Sequence, residues 1–199
     1  MPEIARLAGE IAGVLSFAAF LPYIIDILRR KTRPNRASWW IWTVVGIMVL
    51  ASYRSGGAEE TIWVPISYTI GPFIIALLAI KYGEGGWTTF DRNCLGGVGG
   101  SLILWVIFKA PLVVLCINLF IDFLGALPTI RKSVHEPEGE SKLAWALWIS
   151  GNIFNLFAVE KWTFAIAVHP VFMTFVSGTI AALVLWPRPS SNQPPPKNT

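Results

Sequence analysis

Long apolar runs alternate with short polar ones along this chain, and seven of the apolar runs read as helices able to cross a bilayer, whose hydrocarbon core takes about 20 helical residues. They cover residues 7–28, 38–53, 62–82, 93–108, 111–130, 143–159 and 163–186. The fourth is short, and Gly96, Gly97, Gly99 and Gly100 thin its side chains. Such a run is a poor helix in water, but in lipid small residues permit close helix contact. The closing "PRPSSNQPPPKNT" is Pro-rich and polar and reads as a disordered tail. The pattern predicts an all-α integral membrane protein of seven transmembrane helices. The first run follows an N-terminus that is not basic and shows no small-residue cleavage site, so it is expected to stay as a span.

The polar positions repeat. Residues 20–42, "FLPYIIDILRRKTRPNRASWWIW", and residues 126–148, "ALPTIRKSVHEPEGESKLAWALW", share a layout of Leu-Pro, basic residues, a loop proline and Trp-x-x-Trp. An offset of 106 residues places Leu21 and Pro22 on Leu127 and Pro128, Trp39 on Trp145 and Trp42 on Trp148. Spans one to three therefore match spans five to seven, with the fourth as a linker. Because a single linker span re-inverts the chain, both triplets cross in the same direction, a parallel repeat about an axis along the membrane normal. The expected division is residues 1–85 for the first triplet, 86–110 for the linker helix, 111–187 for the second triplet and 188–199 for a cytoplasmic tail.

Charge sets the orientation. With seven crossings, twelve of the sixteen Lys and Arg fall on one side, five of them in the loop after the first span, and Arg6, Arg54, Lys109 and Lys161 fall on the other. The positive-inside rule then puts the protein in a plasma or inner membrane with its N-terminus outside and its C-terminus in the cytoplasm. Composition agrees: 54% of residues are hydrophobic and 14% charged, against about 25% charged in soluble domains. Ten Trp and twelve Phe suit a protein with two membrane interfaces. Cys94 and Cys116 stand apart with no CxxC, which argues for packing rather than a disulfide or a metal.

With Pro22 and Pro128 each near the cytoplasmic end of a triplet's first helix and followed by basic residues, the chain resembles the PQ-loop clan that includes the SWEET-like transporters. The usual glutamine is replaced by Tyr23 and Thr129, and the second helices lack the proline that SWEETs carry. The resemblance covers nearly the whole chain. It implies the 3+1+3 fold and a secondary carrier or facilitator of a small polar metabolite (sugar, amino acid or vitamin precursor). Fold alone does not choose the solute, and a non-transporting receptor, chaperone or assembly factor on the same fold is the alternative.

Several residues could carry that function. Pro22 and Pro128, each within a helix, could act as hinges or as static kinks. Trp39 with Trp42, and Trp145 with Trp148, are i, i+3 pairs that share a helix face. They line either a substrate pocket, with Trp42 and Trp148 in it, or an aromatic belt at the interface. Asn152 and Asn155 should face the bundle interior, since unpaired amides in hydrocarbon are costly. Asn118 and Asp122 share a face of the fifth span, and an intramembrane acid is a functional candidate. Asp122 could bind a proton or a cation, or bond to Asn155. Asp26, one turn before Arg29 and Arg30, reads as a local ion pair, and Glu10 as a residue reaching outer water. "PISYTIGP" (65–72) and "VHPVFMTFVSG" (168–178) read as helices broken by proline around a midplane site, which brings in Tyr68 and His169. No phosphate loop, metal-ligand cluster or catalytic grouping is present. The expected protein is therefore not an enzyme, has no cofactor or metal and does not bind nucleic acid. Its expected partners are a small-molecule substrate, the lipid bilayer and, as an open option, a second copy of itself.

Overall fold

The computed structural model describes residues 2–55, 63–85, 88–108, 111–159 and 162–186. Within them the fold is all helical: α1 Pro2–Ala18, α2 Phe20–Leu28, α3 Arg36–Ser55, α4 Trp63–Tyr82, α5 Thr89–Ile107, α6 Pro111–His135, α7 Lys142–Phe157 and α8 Phe164–Leu185, with a 3-10 turn at Pro137–Gly139. α1 and α2 together are the first expected span. The expected tail and the loop residues Lys109 and Lys161 lie outside the described residues. Two stretches, Glu3–Leu28 and Ala167–Leu185, are long and apolar enough to cross a membrane by length and composition.

Local chemistry sets the boundaries. α5 starts four residues before the expected Asn93 because Thr88 and Asp91 form a reciprocal cap: Thr88 Oγ1 accepts the Asp91 amide at 3.2 Å and Asp91 Oδ2 accepts the Thr88 amide at 3.2 Å. α3 opens on Asn35, whose Oδ1 accepts the Ser38 amide at 3.1 Å. α6 runs five residues past the expected Ile130, which carries Arg131 and Lys132 out of the loop and onto a helix.

The prolines behave unequally. Pro22 has no amide to give and its ring crowds the carbonyl four residues back, and the helix breaks between Ala18 and Phe20. Pro128, Pro72 and Pro170 lie inside continuous helices. The expectation that residues 65–72 and 168–178 are broken is therefore corrected. Pro65 falls in the first turn of α4, where no amide partner is missed, and a single proline further in bends a helix whose neighbouring bonds hold it together.

The helices pack in a reciprocal pattern. α4 contacts α2 and α3, and α8 contacts α6 and α7. Between these groups α1 packs on α7 and α3 on α6, while α5 lies on α6. The packing is close where side chains are absent. A Cβ on Gly151 of α7 would meet Ser16 Oγ at 2.6 Å, and one on Gly97 of α5 would meet Leu124 at 2.8 Å. Of the four glycines expected to bring α5 close to a neighbour, Gly97 does so, and Gly96, Gly99 and Gly100 have open space around them. Many large apolar side chains face outward, among them Phe17, Leu21, Ile80, Phe157 and Phe175 at 59–67% exposure.

Candidate functional site

The loops after α2, after α4 and after α6 meet at one end of the bundle. Asn35 and Glu84 form an isolated β-bridge, and the Arg33 amide donates to the Gly139 carbonyl at 2.9 Å. Side chains then tie the loops together. The Arg33 guanidinium reaches Glu84 at 3.1 Å and Glu136 at 3.0 Å. Lys132 is the centre of this end: its buried ammonium donates to Glu140 Oε1 at 2.7 Å, to the carbonyl of Gly139 at 2.9 Å and to that of Arg33, and lies 3.3 Å from Glu84. Burial pushes the Glu84 carboxyl up from its ordinary range, against the opposing pull of Lys132 and Arg33.

Glu140 joins the polar end to an aromatic cluster. Its fully buried carboxylate accepts at Oε2 from Tyr23 Oη at 2.9 Å and from Trp145 Nε1 at 2.8 Å. Tyr23 comes from α2 and Trp145 from α7, so one acid draws together residues more than a hundred positions apart. Trp39 Nε1 donates to Tyr23 Oη at 3.3 Å. Ser141 donates its hydroxyl to Asp26 Oδ2 at 2.5 Å, which corrects the reading of Asp26 as a local partner of Arg29 and Arg30. The Thr129 amide, directly after Pro128, donates to Ser38 Oγ at 3.1 Å.

Above this lock the tryptophans form two tiers. Trp39 and Trp145, exposed by 2% and 4%, occupy the tier nearer the loops. Trp42 and Trp148 lie one helical turn deeper, about 4.5 Å along the axis at 1.5 Å per residue. Ring centroids are 5.0 Å apart for Trp39–Trp42 and for Trp145–Trp148, and 5.9 Å for Trp39–Trp148. Phe20 and Tyr23 pack against Trp148 at 5.4 and 5.5 Å. These rings therefore turn inward onto one another, which corrects the belt reading. Trp40 packs at the edge of the core that holds Tyr23 and Trp39 and meets Phe73 at 6.3 Å.

In the deeper tier Trp148 Nε1 donates to the Ser16 carbonyl at 3.1 Å, and Trp42 packs on α6, where a Cβ on Gly125 would come 3.2 Å from its Nε1. Under the 106-residue offset Trp42 corresponds to Trp148 and Ser16 to Asp122. Asp122 is buried on α6, and no hydrogen bond joins it to Asn155 among the described residues.

The remaining candidates scatter. Asn152 donates to Ser177 Oγ and to the Trp148 carbonyl, both at 3.1 Å, and so ties α7 to α8. Asn155 is half-buried on α7. Asn118 Oδ1 is buried with no hydrogen-bond partner. His169 is exposed on α8, and the side chain of Tyr68 lies outside the described residues. Arg6 and Glu10 form an exposed pair at 3.8 Å. Beside the lock lies a cleft of about 220 Å³, lined in part by Asn35, Glu84, Thr88, Arg131, Lys132 and His135. Among the described residues no His, Cys, Asp and Glu group could hold a metal. Cys94 and Cys116 are free.

Sequence reading missed Tyr23, Lys132, Glu84 and Glu140. Its one available signal was "HEPEGE", three acids in a loop otherwise placed with the basic side. No family model, no curated protein and no solved structure matches the chain.

Proposed function

We propose that this chain is a seven-span integral membrane carrier of a small polar metabolite, built from two three-helix halves that rock against each other, with its N-terminus outside and the basic loops in the cytoplasm. The observation that carries this reading is the matched seam: α1 packs on α7 as α3 packs on α6, with Gly151 of α7 against Ser16 of α1 and Gly125 of α6 against Ile41 and Trp42 of α3. A pseudo-two-fold of this kind, with a polar site between repeats, is one of the architectures of secondary transport. The outward Phe17, Leu21, Phe157 and Phe175 favour a lipid surround, since contiguous apolar surface is rare on soluble monomers. Meeting of the loops after α2, α4 and α6 at one end agrees with successive spans that cross in alternate directions.

On this reading the halves are closed at the loop end, and Glu140, Lys132 and Tyr23 form the closure. Pro22 and Pro128 are its hinges. No covalent chemistry and no cofactor enter.

The contact of the four indoles with one another favours a second reading, a non-transporting membrane protein whose two halves are permanently sealed. Uptake by proteoliposomes separates the two. With a panel of sugars, amino acids, vitamin precursors and organic cations, a carrier accumulates at least one label above empty vesicles, and Asp122→Asn alters that uptake. No uptake of any label selects the sealed protein.

A further inference from the structure

Two adjoining clefts open at the loop end, and they differ in character. The cleft of about 220 Å³ carries Glu84, Asp91, Arg131, Lys132 and Glu136 on its walls. A second, of about 300 Å³, is lined by Ala37, Trp40, Ile80 and Leu95, with Arg36 at its edge. Gly85 and Asp91 line both, so a polar hollow adjoins a largely apolar one.

Most charges of the polar cleft are already engaged. Glu84 reaches Lys132 and Arg33, and Glu136 reaches Arg33. Arg131 and Asp91 are left over, one of each sign. The exposed Arg131 guanidinium lies over the Phe90 ring at 4.9 Å and forms no ion pair among the described residues. His135 stands one turn further along α6 and lines the same cleft. Asp91 is 5% exposed. Its Oδ2 accepts from the Thr88 amide at 3.2 Å and from the Thr88 hydroxyl at 2.8 Å. Among the described residues no bond reaches its Oδ1 and no cation pairs with it. Capping α5 therefore occupies one oxygen, and a carboxylate this buried calls for a donor at the other.

Position selects among ligands with that charge pattern. Trp40, Ile80 and Leu95 lie within about 10 Å of their helix ends at 1.5 Å per residue, and Ile80 is 60% exposed. On the membrane placement proposed above, this is the depth at which headgroups give way to acyl chains. A free zwitterion would fill the polar cleft and leave the apolar one bare, whereas an amphiphile fills both. Arg131 suits a phosphate, which a guanidinium binds through paired hydrogen bonds. Asp91 suits an ammonium with hydrogens to donate. A headgroup with no ammonium would leave Asp91 unpaired beside two other acids.

We infer that the loop end holds a zwitterionic phospholipid with a primary ammonium in its headgroup. Its phosphate sits on Arg131, its ammonium at Asp91 and the start of an acyl chain along Trp40, Ile80 and Leu95. This rests on the membrane placement of the proposed reading and not on transport.

Phosphatidylethanolamine and phosphatidylcholine of identical chains test this on the full chain. Each is titrated into delipidated protein in detergent, and bound lipid is counted by native mass spectrometry. The first is expected to bind at least about ten-fold more tightly, because a trimethylated ammonium donates no hydrogen bond to Asp91. Arg131→Gln weakens both lipids, and Arg131→Lys weakens them less. Asp91→Asn, which can still cap α5, removes the preference. Glycerophosphoethanolamine, the same headgroup without chains, binds more weakly than the lipid, and Ile80→Ser narrows that gap. Equal binding of the two lipids by the wild type overturns the inference even if the variants fail to fold. So does tighter binding of phosphatidylglycerol than of phosphatidylethanolamine, or an unchanged preference in a folded Asp91→Asn variant. A chain-free headgroup bound as tightly as the lipid overturns it in favour of a soluble ligand. A protein that stays monodisperse in buffer without detergent sinks the membrane placement and this inference together. One that needs detergent and shows no lipid preference sinks this inference alone.

Discussion

At the scale of single residues, Glu140 is the most consequential side chain in the structure. It gives two acceptor oxygens to three donors, Tyr23, Trp145 and Lys132, all buried. A buried pair of charges gains little net stability, because desolvation offsets attraction, but removing one partner leaves the other uncompensated. Glu140→Ala is therefore expected to cost about 3–5 kcal/mol in reversible denaturant unfolding in detergent. Combining it with Lys132→Met should recover part of that loss, since the orphaned ammonium is gone. Equal stability of single and double variants would show that Lys132 is compensated by its carbonyl partners alone. Glu84 makes a pH prediction. Its folded-state pKa is raised, with burial as the main cause, so the folded protein holds that proton more tightly than the unfolded chain. The linked stability is full below the ordinary carboxylate range and is lost as pH rises through the raised value. Relative to Glu84→Gln, the wild type should therefore weaken as pH rises above the ordinary carboxylate range. A difference that does not vary with pH would contradict this.

At the scale of elements, the seam is set by where helices can touch backbone to backbone. Gly151 admits α1: a Cβ there would lie 2.6 Å from Ser16 Oγ and 3.2 Å from the Ala12 carbonyl. Gly151→Ala must push α1 and α7 apart, and overpacking of this kind costs about 1–3 kcal/mol, measurable by the same unfolding titration. Gly96→Ala, with nothing within 4 Å of the added methyl, serves as the neutral control. The two hinge candidates also separate at this scale. Pro22 coincides with a break between α1 and α2, while Pro128 sits in an unbroken α6. Pro22→Ala allows the helix to close across Ala19, so it should preserve or raise stability while lowering solute uptake. Pro128→Ala should change uptake less. The reverse order in the uptake assay would place the moving joint in the second half.

At the scale of the whole molecule, the loop contacts fix which ends belong together, and on the proposed reading the lysines and arginines set which side they face. Single cysteines at exposed Glu138 and at exposed Thr163, introduced into a Cys116→Ser background, test the assignment. A membrane-impermeant maleimide should label position 138 only after the cytoplasmic side is opened, and position 163 in intact cells. Labelling of both from the same side would contradict a crossing by α7. Solute should also matter globally: if the closed loop end parts during transport, a cysteine at buried Ser141 becomes more reactive when a transported solute is present.

Much of this protein is legible in its residues. Hydropathy located all the long helices, since a 3.6-residue helix buries or exposes whole runs of side chains and the runs are visible without a fold. Leu-Pro and Trp-x-x-Trp keep a 106-residue spacing in the sequence, and the proposal of two halves starts from that. What a helix does with its polar residues was not. Asp26 was read with its neighbours Arg29 and Arg30, yet its partner is Ser141; local spacing suggests a bond, and a partner from the other half overrides it. The tryptophans were read as facing either lipid or substrate, and only packing turned them onto one another. Glu140 carried no signal at all beyond its charge. A buried acid is tolerated where three donors converge, and that convergence brings α2, α6 and α7 together from distant parts of the chain. Segment length, polarity and repetition are local properties that residue order determines directly; which buried charge meets which donor depends on helices crossing in space, and that only the tertiary structure decided.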